Sequence, residues 1–258
     1  MCLIAFAHRV HPEFPLVVAA NRDEFYARPT ASAAFWVDRP EILAGRDLEC
    51  MGTWLGVTRC GRFAAVTNYR DPADARDSAE SRGTLVSRFL DGTVPAGEFV
   101  KDIVANADAY RGFNLLASDG TDFYSYSNRA GGPVRLEPGI YGLSNHLLNT
   151  PWPKVRVAKE RLEAALEPRP APEPLFALLA DTAVVPDEDL PQTGVTPERE
   201  KVLSAARIVS HTYGTRCSTV VLRSADGTMQ FAERSYGPEG VELDTARYEF
   251  QVSPQISG

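Results

Sequence analysis

Short apolar runs separated by turn residues dominate the first third of the chain. Residues 3–7 (Leu-Ile-Ala-Phe-Ala) and 16–20 (Leu-Val-Val-Ala-Ala) are two such runs, divided by a polar stretch with prolines at 12 and 15. That pattern predicts two buried strands folded back as a hairpin. Residues 28–49 carry a weaker pattern, with prolines at 29 and 40, and read as a long loop holding a short strand or two. Phe25, Tyr26, Phe35 and Trp36 are candidates there for an apolar pocket wall. Strands follow over 53–57 and 62–67 around a turn at Cys60-Gly61, then a charged loop over 72–82 and a helix over 84–90. Phe99, Val100, Ile103, Val104 and Ala107 recur at helical spacing, which predicts an amphipathic helix over 96–110. Hairpin strands at 113–118 and 123–127, then at 134–137 and 139–144, precede helices at 153–167, 174–182 and 197–206. Prolines near helix starts and a Thr196 cap mark the helical boundaries. A last pair of strands spans 216–222 and 229–235 across Asp226-Gly227. Roughly ten to twelve strands and four or five helices in two blocks predict an α+β fold of two packed antiparallel sheets with helices outside. No repeat or low-complexity segment divides residues 1–258, which therefore read as a single domain.

Composition narrows the possibilities. With 258 residues, 44% hydrophobic and 24% charged, the chain has the makeup of a globular protein. Its net charge of −7 argues against nucleic acid or an anionic membrane surface as the main partner. Cysteines stand at 2, 50, 60 and 217, without a CxxC pair or zinc-ligand spacing, so no metal site is expected. No apolar run approaches the length of a membrane span, and no signal peptide is evident at the N-terminus. A cytoplasmic location with reduced thiols is the simplest expectation.

The candidate chemistry lies at the start. Removal of Met1 would leave Cys2 with a thiol and a free α-amine on one carbon frame. An α-amine titrates near pH ~8 and a thiol near ~8.5, so the amine can serve as base for its own nucleophile. The predicted hairpin brings Asn21-Arg22-Asp23-Glu24, at the end of the second strand, close to that amine. A carboxylate there can orient the amine, and Asn21, Arg22 or Glu24 can contact a substrate. Taken without Cys2, the same four residues would read as an ordinary strand-end turn.

Cys2 and Asn21-Arg22-Asp23-Glu24 resemble the NRDE, or transport and Golgi organisation, family. The likeness continues through Gly52-Thr53-Trp54-Leu55-Gly56, Thr67-Asn68, Ser81-Arg82-Gly83, Phe113-Asn114-Leu115-Leu116 and Gly142-Leu143-Ser144-Asn145. It resumes at Pro151-Trp152-Pro153-Lys154-Val155, Tyr213-Gly214-Thr215-Arg216 and Glu233-Arg234-Ser235-Tyr236. That family is similar to the cysteine branch of the N-terminal nucleophile (Ntn) hydrolases, which includes choloylglycine hydrolases and penicillin V acylases. The resemblance implies a four-layer αββα sandwich, Cys2 as nucleophile, Asp23 holding its amine, and Asn68 and Asn145 stabilising the oxyanion. The branch usually has an Arg before the Asn of the Asn-x-Asp segment, where this chain has Ala20.

Two functions follow as expectations. One is hydrolysis of an amide or acyl bond of a small molecule, requiring no cofactor. The other is ligand binding without catalysis, in haem or acyl-lipid (acyl-CoA) handling and trafficking, with His8, His11, His146 and the cysteines as candidate haem ligands. Arg82, beside a helix start, is a candidate anion contact, and Arg216 a candidate substrate contact. An interaction scaffold is a third reading, for which no specific feature speaks.

Overall fold

The computed structural model describes residues 2–74 and 80–253. Thirteen strands and five α-helices are found among them. The first sheet has six antiparallel strands in the order β10 (Gly139–Leu143), β1 (Cys2–His8), β2 (Leu16–Phe25), β11 (Tyr213–Arg223), β12 (Thr228–Tyr236) and β13 (Glu242–Gln251). The second has seven, running consecutively through β3 (Thr30–Phe35), β4 (Ile42–Asp47), β5 (Leu55–Thr58), β6 (Phe63–Asn68), β7 (Phe113–Ser118), β8 (Phe123–Ser127) and β9 (Val134–Arg135).

Strand alternation sorts the core into three layers. Ile4 and Phe6 of β1 and Leu16, Val18 and Ala20 of β2 face the second sheet, meeting Leu43, Phe63 and Leu116. Leu3, Ala5, Val17 and Ala19 face the other way, onto α3 (Pro153–Ala165) and α4 (Pro172–Leu179). The outer face of the second sheet is covered by α1 (Gly83–Asp91) and α2 (Ala96–Ala105), through Leu85, Phe89, Val100 and Ile103. The four-layer αββα sandwich is therefore the observed fold. Each fully buried Leu, Ile or Phe in these layers contributes on the order of 2 kcal/mol by leaving water.

Local chemistry sets the helix boundaries. Pro153, Pro172 and Pro197 each occupy the first helical position, where the missing N–H costs nothing. Thr196 caps α5 (Pro197–Ser204) by accepting a hydrogen bond from the Arg199 N–H at 3.4 Å.

Residues 28–49 hold the short strands expected there, two of them, flanked by the prolines and paired across a register shift between Ala31 and Ala34. Two other expectations change. The helix from Ala96 stops at Ala105 and is followed by a short 3-10 turn at Ala107–Ala109. Strand β13 was not anticipated after Tyr236; it is an edge strand with exposed residues on both faces. Part of the charged loop expected over 72–82, residues 75–79, lies outside the described residues.

Candidate functional site

The start of β1, the end of β2 and the start of β11 meet at one end of the sandwich, over a cavity of about 270 Å³ between the sheets. Register builds its floor. Cys2 pairs with Arg22, Arg22 with Cys217, and Cys217 with Ser235, giving a row across β1, β2, β11 and β12. All four line the cavity. The opposite wall comes from β3, β4, the Thr53-Trp54 segment, Asn68 and the turn before α1.

Alternation along β2 divides its last residues between two faces. Asn21 is fully buried on the helical side, donating from Nδ2 to the Leu179 and Ala206 carbonyls at 2.9 and 2.8 Å. Its Oδ1 accepts from the Ser218 hydroxyl at 2.6 Å. Asn21 thus ties α4 to the sheet and does not line the cavity, unlike the substrate contact expected of it. Asp23, on the same side, accepts from the Thr215 hydroxyl at 2.7 Å and borders the cavity beside Cys2. Arg22 and Glu24 face the cavity, and Glu24 Oε1 also accepts from the Phe25 N–H at 2.9 Å. Ala20 lies two residues before Arg22 on the same face, so strand alternation brings the Arg22 guanidinium to the side where the branch's arginine would point.

Cys2 is surrounded by fixed dipoles. Its backbone nitrogen donates to Asn145 Oδ1 at 3.4 Å, and its carbonyl accepts from the Ser144 hydroxyl at 2.9 Å. Asn145 is fully buried, and its Nδ2 donates to the carbonyl and the Oδ1 of Asn68, both at 3.0 Å. Asn145 therefore bridges Cys2 to Asn68 without lining the cavity. Asn68 does line it, and with its Oδ1 held by Asn145 its amide NH2 is the end left for a ligand. Burial pushes the Cys2 thiol above its ordinary value, opposed by nearby positive charge, Arg22 included, and by a hydrogen bond from the Asp23 backbone N–H.

Burial also raises the Asp23 carboxyl, while Lys154 and the Thr215 hydroxyl oppose the rise. Lys154, the second residue of α3, is buried and donates to the Leu203 carbonyl at 2.8 Å. Desolvation pulls its ammonium down to about 8, against the attraction of Asp23. On the far side of Arg22, burial drives the Cys217 thiol well up, and the adjoining Glu233 carboxylate drives it further. Glu233 is buried, accepts from the Ala33 N–H at 2.8 Å and the Thr219 hydroxyl at 3.1 Å, and has its own carboxyl raised by burial. Sequence reasoning assigned no role to Lys154 or Glu233, and named Cys217 only among the candidate haem ligands. The available signals were a lysine in the first turn of a helix, against the dipole, and a lone acid within the apolar strand Phe231-Ala232-Glu233.

The remaining candidates separate. Arg82 lines the cavity immediately before α1. Arg216 lines it too, but sits at a bulge in β11 and donates to the carbonyls of Phe25, Tyr26 and Arg28 and to the Thr30 hydroxyl, bracing the β2–β3 connection. None of Phe25, Tyr26, Phe35 and Trp36 lines the cavity: Phe25 packs on Tyr213, Phe35 on Tyr248 and Phe250, and Trp36 joins the α1–α2 layer. Nor do His8, His11 or His146. His8 packs edge-on to Phe123, His11 accepts two backbone N–H groups in its turn, and His146 stands between Tyr69 and Trp152. Among the described residues no cluster of His, Cys, Asp and Glu could hold a metal ion, and no helix is long and apolar enough to cross a membrane.

The layers and the cysteine-headed first strand define the class. A solved structure of the Caenorhabditis elegans N-acylethanolamine-hydrolyzing acid amidase ortholog superposes with a TM-score of 0.51 at 12% identity, covering 86% of this chain and 92% of that one. The fold is that of the Ntn hydrolases. Within that class, the family profile described as Transport and Golgi organisation 2 matches residues 1–238. The Transport and Golgi organization protein 2 homologs of Bos taurus and Homo sapiens are 40% and 38% identical, each over 98% of this chain and 99% of theirs. The Drosophila melanogaster protein is 30% identical over 91% of this chain and 92% of its own. The chain belongs to the Transport and Golgi organisation 2 (NRDE) family.

Proposed function

We propose that this protein hydrolyses an amide or acyl bond of a small molecule, with Cys2 as nucleophile once Met1 has been removed. The observation that carries the proposal is the setting of the Cys2 nitrogen. That atom would become the α-amine, and it already lies 3.4 Å from Asn145 Oδ1, with Asp23 and the cavity beside the sulfur. In this reading the amine takes the thiol proton and the thiolate attacks the carbonyl carbon. The Asn68 amide NH2, held in place by Asn145, donates to the oxyanion that forms. Collapse breaks the bond to the leaving group, which receives the proton from the Cys2 ammonium. Water then cleaves the thioester and regenerates the thiol.

The structural neighbour's stated substrate, an N-acylethanolamine, makes fatty amides a reasonable first panel. Mass spectrometry of the Met1-free protein after exposure to acyl substrates should show an acyl adduct on Cys2 that is absent in Cys2→Ala. No adduct and no turnover across a broad panel would sink the reading.

A further inference from the structure

We propose that Arg22 and Arg82 form a receptor for a carboxylate on the ligand, positioned close to the carbonyl presented to Cys2. This deepens the hydrolase reading by naming a substrate class, and it rests on that reading for the identity of the reacting carbonyl. The binding claim rests on the arginines alone.

Five arginines border the cavity, and three are already committed. Arg28 donates from Nε to Asp47 at 2.5 Å, and Arg46 forms a two-point pair with Asp38 at 2.5 and 2.8 Å. Arg216 is held by three carbonyls and a hydroxyl. Arg22 and Arg82 differ from these. The carboxylate nearest Arg22 is Asp47 at 3.7 Å, beyond hydrogen-bonding distance. Asp47 is itself engaged by Arg28 and by the N–H groups of Glu49 and Cys50 at 3.0 and 2.9 Å. Arg82 makes one hydrogen bond among the described residues, from Nη1 to the Gly112 carbonyl at 3.1 Å, and no ion pair with any of them. A guanidinium offers five N–H donors in a planar fork, so both side chains keep most of theirs for something else.

Holding such cations in a partly desolvated wall is costly unless a partner arrives. Burial indeed pulls the Arg82 guanidinium below its ordinary value, with the Cys2 side chain the foremost of the groups that oppose it. Arg22 is the cross-strand neighbour of Cys2. Both arginines border the cavity that Cys2 lines, so an anion held there shares that cavity with the reacting carbonyl. In a chain of net charge −7 this is a cationic focus that would attract anions selectively.

Planar forks match a carboxylate in two-point fashion. Glu24 and Asp47 border the same space and disfavour a dianion such as phosphate. A monoanionic carboxylate fits the local charge better.

The test uses the full-length Cys2→Ala protein, which cannot turn ligand over. Calorimetric titrations with N-octanoylglycine and N-octanoylethanolamine compare two amides that differ in a carboxylate against a hydroxymethyl group. At low salt the glycine compound should bind roughly ten- to a hundredfold tighter, the range that charged hydrogen bonds supply. Arg82→Gln should remove most of that preference. Arg82→Lys keeps the charge without the fork, should fold even if Arg82→Gln does not, and should lose a large part of the preference. Equal binding of the two amides, binding of neither, or a preference that survives both variants overturns the proposal. So does displacement of the ligand by inorganic phosphate but not by acetate. The two readings fail separately: a carboxylate preference without a Cys2 adduct in the unmutated protein leaves the receptor and removes the hydrolase. An adduct without the preference does the reverse.

Discussion

Replacing Asn21 by Ala tests whether the first letter of the NRDE segment is a strut rather than a ligand contact. The side chain supplies two donors and one acceptor, to the Leu179 and Ala206 carbonyls and from the Ser218 hydroxyl. Removing it leaves two carbonyls without their donor, that of Leu179 buried and that of Ala206 partly buried. The Ser218 hydroxyl retains a longer contact to the Tyr236 hydroxyl at 3.4 Å. Each orphaned buried group costs about 1–3 kcal/mol, so a loss of about 3–5 kcal/mol is expected once partial relaxation is allowed for. At ~2–4 °C per kcal/mol for a chain of this size, Tm should fall by roughly 6–20 °C. Asn21→Asp is the informative companion. It keeps an acceptor for Ser218 but faces both carbonyls with oxygen, so it should be at least as damaging. Urea melts followed by circular dichroism measure both variants, and calorimetry at low temperature asks whether folded Asn21→Ala still binds ligand with unchanged affinity. A loss below about 1 kcal/mol, or a ligand affinity that collapses while the protein remains folded, would refute the strut.

Other outcomes follow from the same geometry. Lys154 titrates at about 8 when folded and near ~10.4 when unfolded, so between those values the unfolded chain holds more protons and stability attributable to this group rises with pH. Relative to Lys154→Met, the unmutated protein should therefore gain on the order of 2–3 kcal/mol from pH 7.5 to 10.5; a flat difference curve in urea melts would contradict this. A Cβ at Gly52 would lie 2.7 and 2.8 Å from the backbone C and O of Gly83, so Gly52→Ala should cost about 1–3 kcal/mol and weaken carboxylate binding by displacing Arg82. With Met1 retained, iodoacetamide at neutral pH should modify exposed Cys50 well before buried Cys2 and Cys217, as peptide mapping over time can show. Rapid labelling of Cys2 in that form would mean the cavity opens more than its buried setting implies.

What could be read from the chain was local. The first hairpin, the helices of periodic spacing and the strand-end positions of Asn68 and Asn145 all follow from patterns within a dozen residues. What escaped was set by register between distant strands. Cys217 and Glu233 belong to the site because β11 lies against β2, a pairing between segments almost two hundred residues apart that no window of sequence displays. The alternation of β3 is weakened by its register shift, and β13 carries only two large apolar residues, Tyr248 and Phe250, on the face that packs on Phe35, the rest of the strand being mostly polar. The aromatic wall failed for a similar reason: Phe35 and Trp36 are neighbours in sequence but pack into different layers of the sandwich.

The division of β2 between two faces has a consequence for inheritance. Asn21 and Asp23 point to the helical side, Asp23 also bordering the cavity, while Arg22 and Glu24 face the cavity, so two vocabularies are written in alternate letters of one segment. The turn at residues 8–15 can lengthen or shorten without disturbing either. A single codon inserted among residues 17–20 would instead exchange them, sending a guanidinium into the seam beneath α4 and an amide into the cavity. Lineages of this fold should therefore vary freely in the length of that turn, while deletions and insertions within the strand are purged at once.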